Sequence, residues 1–144
     1  MHFPIVGPKM YNANGSKPGN QHCGSTNLHM DLTDAVNVMV WAAQKDGSPG
    51  YAVWHIFTSA VSDTLRKFLR EEGSTGPGDP IHSQTVYLTP TMLQRLATKY
   101  HVRPYTIYQH PGEAVYIPAG CAHQVRYNIQ WTLLQPTDFI STGR

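Results

Sequence analysis

Ala35-Val36-Asn37-Val38-Met39-Val40-Trp41-Ala42-Ala43 is apolar, rich in valine and free of glycine and proline, so it reads as a buried β-strand. Downstream, Tyr51-Ala52-Val53-Trp54-His55-Ile56-Phe57 reads as a second strand, entered through the turn-forming Asp46-Gly47-Ser48-Pro49-Gly50. Further on, Tyr105-Thr106-Ile107-Tyr108-Gln109 and Ala114-Val115-Tyr116-Ile117 flank His110-Pro111-Gly112-Glu113, the pattern of a hairpin. Residues 124–128 and 130–135 supply two more short strands.

Two segments break the β pattern. Residues 59–72 place Val61, Leu65, Phe68 and Leu69 on one helical face, with Ser59 or Ser62 as the cap. Residues 89–100 form a second helix, with Pro90 at its first position and Met92, Leu93 and Leu96 apolar. The intervening Gly73-Ser74-Thr75-Gly76-Pro77-Gly78-Asp79-Pro80 has the composition of a mobile loop. The pattern predicts a β-barrel or jelly roll with two helices inserted midway.

Composition narrows the function. A chain of 144 residues matches one domain, and 40% hydrophobic against 14% charged residues is a globular balance. A net charge of +2 is too small to indicate sequence-specific nucleic-acid binding. No apolar run approaches about 18 residues, so no membrane association is expected. The N-terminal Met1-His2-Phe3-Pro4-Ile5-Val6 lacks the regions of a signal peptide. Cys23 and Cys121 make no disulfide framework and suit a reducing compartment.

Just upstream of the first strand, His29 and Asp31 stand two residues apart in Thr26-Asn27-Leu28-His29-Met30-Asp31. On a strand, residues i and i+2 face one side, about 6.6 Å apart, so this pair would converge inside a barrel. The third ligand must come from a strand adjacent in space. His123 fits, because it follows Pro118-Ala119-Gly120, a turn opening a new strand. Two imidazoles and one carboxylate are the facial set that holds non-haem Fe(II) and leaves positions open for oxygen chemistry. Zinc is the rival, with Cys121 joining the three. Chance is the bland alternative, since the chain has eight histidines. Of the others, His2, His22 and His101 read as loop or surface residues, His55 and His82 as hydrogen-bonded structural groups, and His110 as a turn residue.

The wording around these ligands is more specific than the ligands. Gly24 through Val38 resembles the iron-binding strand of JmjC-domain histone demethylases, in the branch acting on mono- and dimethylated lysine 9 of histone H3. Gly7-Pro8-Lys9-Met10-Tyr11-Asn12-Ala13 looks like the strand preceding it there. Trp54-His55-Ile56-Phe57, Asp79-Pro80-Ile81-His82-Ser83-Gln84 and Tyr87-Leu88 fall in the same order as in that branch. Gly112 through Arg126, containing Ile117-Pro118-Ala119-Gly120-Cys121-Ala122-His123, is nearly its signature, and Asp138-Phe139-Ile140-Ser141 resembles its closing motif.

The resemblance implies a mainly β, double-stranded β-helix of jelly-roll, cupin-like type, binding Fe(II) and 2-oxoglutarate. Oxidative decarboxylation of the oxo acid would be coupled to hydroxylation of an N-methyl group, which leaves as formaldehyde. His29, Asp31 and His123 match the iron ligands, Thr26 matches a residue that contacts 2-oxoglutarate, and Asn37 looks like a polar residue facing the same pocket. The implied substrate is a methylated histone tail and the implied setting the nucleus. A non-catalytic module in a chromatin complex and a hydroxylase of a non-histone protein are the alternatives. The family's usual basic anchor for the distal carboxylate is missing from Ser48-Pro49-Gly50-Tyr51-Ala52-Val53, and Leu134 stands where the branch carries a lysine. Lys45, Arg103, Arg126 or a tyrosine hydroxyl are the substitutes considered. Residues 1–144 are expected to form a single JmjC domain, truncated at both ends relative to the family.

Overall fold

The valine-rich segment forms a strand, as expected, but only one of its two faces is fully buried. In the computed structural model, which describes residues 11–14, 24–45, 47–128 and 131–138, Ala35, Asn37 and Met39 point inward and are buried. Val36 and Val38 are half-buried on the other face, and Val40 is exposed. Strand period two thus puts an asparagine, not a valine, into the core.

The described residues form β1 (Tyr11–Asn14), β2 (Ser25–His29), β3 (Ala35–Ala42), β4 (Gln44–Lys45), β5 (Ser48–Pro49), β6 (Tyr51–Ile56), α1 (Ser62–Glu71), α2 (Pro90–Tyr100), β7 (Tyr105–Gln109), β8 (Ala114–Ile117), β9 (His123–Asn128) and β10 (Trp131–Asp138). One four-stranded sheet runs β1-β10-β3-β8 and a second runs β2-β9-β6-β7, while β4 and β5 make a small ribbon. Every pairing is antiparallel. Ala35, Met39, Trp54, Val115, Ile117, Val125 and Tyr127 belong to the core that the two large sheets bury, the two-layer arrangement of a jelly roll.

The expected hairpin at residues 105–117 does not exist, although both of its strands do. Antiparallel pairing takes β7 to β6 and β8 to β3, so residues 110–113 carry the chain from one sheet to the other. Gly112 N–H donates to the Met39 carbonyl at 2.7 Å and Met39 N–H to the Glu113 carbonyl at 3.1 Å. These bonds attach the turn to β3 instead of closing β7 on β8. Gln109, fully buried at its start, ties the sheets together. Its Oε1 accepts from Trp54 Nε1 at 2.8 Å, and its Nε2 donates to the carbonyls of Asn37 (3.0 Å) and Glu113 (3.1 Å).

The helices cover the outer face of the β2-β9-β6-β7 sheet. Leu65, Phe68 and Leu69 of α1, with Leu96 of α2, join Leu28, Phe57, Ile81, Leu88 and Ala122 in a second core. The α2 boundary follows its sequence signal, Thr89 Oγ1 accepting from Met92 N–H at 3.3 Å ahead of Pro90. The α1 boundary does not. Residues 59–61 form a 3-10 turn, and neither Ser59 nor Ser62 caps the helix; the turn supplies the first hydrogen bonds that a cap would otherwise make. The glycine-rich connection is tethered, against the expectation of mobility. Arg70 donates to the Gly78 carbonyl at 3.0 Å, Arg66 pairs with Asp79 at 2.8 Å, and Ser74 N–H reaches the Leu69 carbonyl at 3.0 Å. No helix of the described residues is long and apolar enough to cross a membrane.

Gln124, also fully buried, joins sheet to insert. Its Oε1 accepts from Leu88 N–H at 2.8 Å, while its Nε2 donates to the Leu88 carbonyl at 3.0 Å and to His55 Nδ1 at 3.1 Å. Gln124→Ala would strand two backbone groups in the core, and we expect a loss of about 3 kcal/mol in chemical denaturation. Asp79 gives a pH test. Burial alone would raise its pKa, but the Ile81 N–H, Arg66 and His82 outweigh it and hold the carboxyl down at about 2. Its contribution is therefore complete above the ordinary carboxylate pKa near 4 and disappears as pH falls through about 2. Asp79→Asn should cost about 1 kcal/mol at pH 7, with the gap to the unmodified chain closing over that acid range.

Candidate metal centre

Antiparallel pairing of β2 with β9 sets His29 directly opposite His123. Opposed residues share a face of the sheet, and the two imidazoles lie 4.1 Å apart between ring centres, tilted by 55°. The ladder pairs Ser25 with Arg126 and Thr26 with Val125, then slips by one residue before His29. That slip is a β-bulge in β2, and it matters for the site. Thr26 and His29 are three residues apart, so unbroken alternation would put them on opposite faces. The extra residue restores both to the inward face, with Thr26 beside the core residue Val125. Leu28 N–H, freed from the ladder, donates to the Val86 carbonyl at 2.8 Å, and Asn27 Nδ2 donates to the Gln84 carbonyl at 2.9 Å. The linker ahead of α2 therefore holds the bulge in place.

Asp31 arrives differently from the expectation. β2 stops at His29, so the carboxylate is not the next inward residue of a strand. It stands in the following loop, where the Asp31 carbonyl accepts from Gly120 N–H at 2.9 Å. Its Oδ2 lies 3.7 Å from His123 Nε2, with the Asp31 side chain 45% exposed and that of His123 only 4%. One donor atom from each of His29, Asp31 and His123 fall within 4.8 Å of one another. The site is thus closed at His123 and open toward Asp31, with His29 half-buried between them.

The two histidines are oriented by the same device. His29 Nδ1 lies 2.8 Å from the Asn27 carbonyl and His123 Nδ1 lies 3.0 Å from the Cys121 carbonyl, in each case the residue two positions earlier. A carbonyl only accepts, so each Nδ1 carries a proton, which in the neutral ring leaves the Nε2 lone pair for the site. Carbonyl-anchored imidazoles of this tautomer are what a metal ligand set requires. Burial lowers the pKa of His123, and neighbouring His29 lowers it further, against the opposing Cys121 carbonyl and Asp31. The imidazole is therefore held in its neutral, ligating form. Trp54, buried behind it, stacks at 6.1 Å and 29°.

The donor set fits a divalent transition metal: two neutral nitrogens, one carboxylate and an open side. Cys121 is not among the three residues brought together; it contributes its carbonyl to His123. Cys23 lies outside the described residues, as do His2 and His22. Asn37, on β3, faces inward from the opposite sheet, and its Oδ1 accepts from Gln109 Nε2 at 3.2 Å. Arg126, opposite Ser25, belongs to the outward face of β9, and Arg103 is exposed. His55 and His82 have structural partners in Gln124 and Asp79, and His110 bonds Glu113 from the turn after β7. Sequence reading missed Trp54, Gln109, and the carbonyls of Asn27 and Cys121. Backbone acceptors carry no side-chain signal, and a buried glutamine is legible only once strand faces are known.

The family model for the JmjC domain, described as a hydroxylase, matches residues 21–139. Lysine-specific demethylase 3A-A of Xenopus laevis is 36% identical over 175 aligned positions, covering 96% of this chain and 13% of that protein. Lysine-specific demethylase 3A of Homo sapiens is 35% identical with the same coverages, and lysine-specific demethylase 3 of Drosophila melanogaster is 37% identical, covering 96% of this chain and 20% of its own length. The chain thus spans a fifth or less of these curated relatives. An inward cluster of two histidines and a carboxylate on a jelly roll, a family match over most of the chain and relatives above one-third identity agree: the chain belongs to the JmjC domain family.

Proposed function

We propose that this chain is an Fe(II)- and 2-oxoglutarate-dependent dioxygenase that removes methyl groups from lysine on a histone tail, with mono- and dimethylated lysine 9 of histone H3 as its substrate and the nucleus as its place of action. The observation that carries this reading is the convergence of His29, Asp31 and His123 with both Nδ1 atoms tied back to carbonyls. The demethylase names of the relatives supply the substrate class.

When bound, iron and the oxo acid supply the oxidation of a C–H bond on the N-methyl group. The chain's residues do the rest. His29 and His123 hold the metal through Nε2 and Asp31 through its carboxylate, leaving one side for the oxo acid and oxygen. Thr26, brought to the inward face by the bulge, and Asn37, facing from β3, stand as the oxo-acid contacts. Trp54 and Val125 keep bulk water from the histidine side. The exposed Asp31 side is where an extended peptide reaches the centre.

A second reading, a metal-holding module without turnover in a chromatin complex, is favoured by one observation. Residues 48–53 hold no cation, and Arg103 and Arg126 are both exposed. An unpaired carboxylate costs several kcal/mol to bury, so weak oxo-acid binding would separate the readings.

Anaerobic addition of 2-oxoglutarate to the Fe(II)-loaded chain should produce the visible charge-transfer band of a chelated oxo acid. Absence of the band at millimolar 2-oxoglutarate would favour the module. With the band present, a dimethyl-lysine-9 peptide of histone H3 should release formaldehyde, and succinate without formaldehyde would point to a different substrate. His29→Ala should abolish the band and reduce turnover at least 1,000-fold, about 4 kcal/mol or more in barrier terms; turnover that survives places the site elsewhere.

A further inference from the structure

The two arms of the metal centre are held against each other by a residue that ligates nothing. Asp34 stands three positions beyond Asp31, at the entrance to β3. Its Oδ1 accepts from the N–H of Ala119, 85 residues away, at 2.7 Å. Pairing of Val36 with Tyr116 puts the tyrosine ring on the same outward face as Asp34, and the Tyr116 hydroxyl donates to the Asp34 carboxylate. One carboxylate therefore grips both β8 and the turn that leaves it.

That turn presents His123. Cys121 N–H donates to the Pro118 carbonyl at 3.1 Å, and Gly120 has φ +75°, so residues 118–121 form a type II turn in which the third position favours glycine. Its two successive N–H groups both point at the 31–34 loop, Ala119 to the Asp34 carboxylate and Gly120 to the Asp31 carbonyl. The last residue of the turn, Cys121, supplies the carbonyl that orients His123. A continuous path thus runs from Asp34 through Ala119 and Cys121 to His123 Nδ1, beside a second path from Gly120 to Asp31.

We propose that Asp34 is the positioning residue of the metal centre: by clamping the 118–121 turn onto the loop that bears Asp31, it sets the separation of Asp31 and His123 for one ion. This rests on the metal reading of His29, Asp31 and His123. Asp34 acts through its acceptor oxygen, not as a ligand, so an amide in its place keeps the function.

Metal uptake alone tests this, without turnover. Co(II) titrated calorimetrically into the chain well below its melting temperature should bind Asp34→Ala at least tenfold more weakly than the unmodified chain. Asp34→Asn, which retains the acceptor for Ala119 N–H, should stay within threefold. Ala119→Pro removes the donor at a position where a type II turn accepts proline, and its ring carbon displaces the Asp34 oxygen from that place, so it should match the loss in Asp34→Ala; it carries the test if Asp34→Ala does not fold. Folded Asp34→Ala or Ala119→Pro that binds Co(II) within threefold of the unmodified chain would reduce Asp34 to a purely structural role and overturn the proposal. Equal losses in Asp34→Asn and Asp34→Ala would overturn it too, by assigning the effect to charge. An unmodified chain that takes up no Co(II) would overturn the metal reading, and this inference with it.

Discussion

The pairing of His29 with His123 across β2 and β9 is the constraint on which the site depends. Strand side chains alternate, so a slip of one residue in that ladder would turn His123 out of the barrel and Gln124 into it. The register is held from both faces. Inward, Val125 and Tyr127 belong to the core between the sheets. Outward, Gln124 is fastened to Leu88 and His55 beneath the helices. A slipped ladder would bury Arg126 and lose the Gln124 bonds, each a cost of several kcal/mol. The inserted helices thus serve the site by fixing which face of β9 is which.

Within that register, backbone groups do the fine positioning. Carbonyls of Asn27 and Cys121 orient the two imidazoles, and the Gly120 N–H holds the loop of Asp31. Behind His123, Trp54 is held by Gln109, which reaches the backbone of β3 in the other sheet. The cluster of His29, Asp31 and His123 therefore sits at the end of a polar spine through an otherwise apolar interior. Such buried networks are strong when every member is satisfied, and Gln109 uses both its oxygen and its nitrogen here.

Most strands were legible because apolar β-branched runs between turns mean one thing in a chain this size. β3, β6, β7, β8 and β9 lie where their residues predict, and α2 begins where Thr89-Pro90 says it must. Partnership was not legible. A short turn at 110–113 looks like a hairpin, yet β7 and β8 answer to different sheets, since pairing depends on contacts remote in sequence. At β3 the whole run read as buried, yet Val36 and Val38 are half-buried and Val40 exposed, while Ala35, Asn37 and Met39 fill the inward face. At the site, His29, Asp31 and His123 are brought together, but by a bulge and a loop and not by simple strand spacing. That is why Thr26, an odd number of residues from His29, shares its face: no pattern in the residues announces a bulge.

The central claim is that His29, Asp31 and His123 present two Nε2 atoms and one carboxylate to a single ion. Anomalous diffraction from crystals of the chain grown with Mn(II) tests it most directly. The account predicts one strong peak bonded to Nε2 of His29, Nε2 of His123 and an Asp31 oxygen, with the Nδ1 atoms still on the Asn27 and Cys121 carbonyls. A peak ligated through either Nδ1 atom, a Cys121 thiolate among the ligands, or no peak between β2 and β9 would contradict it.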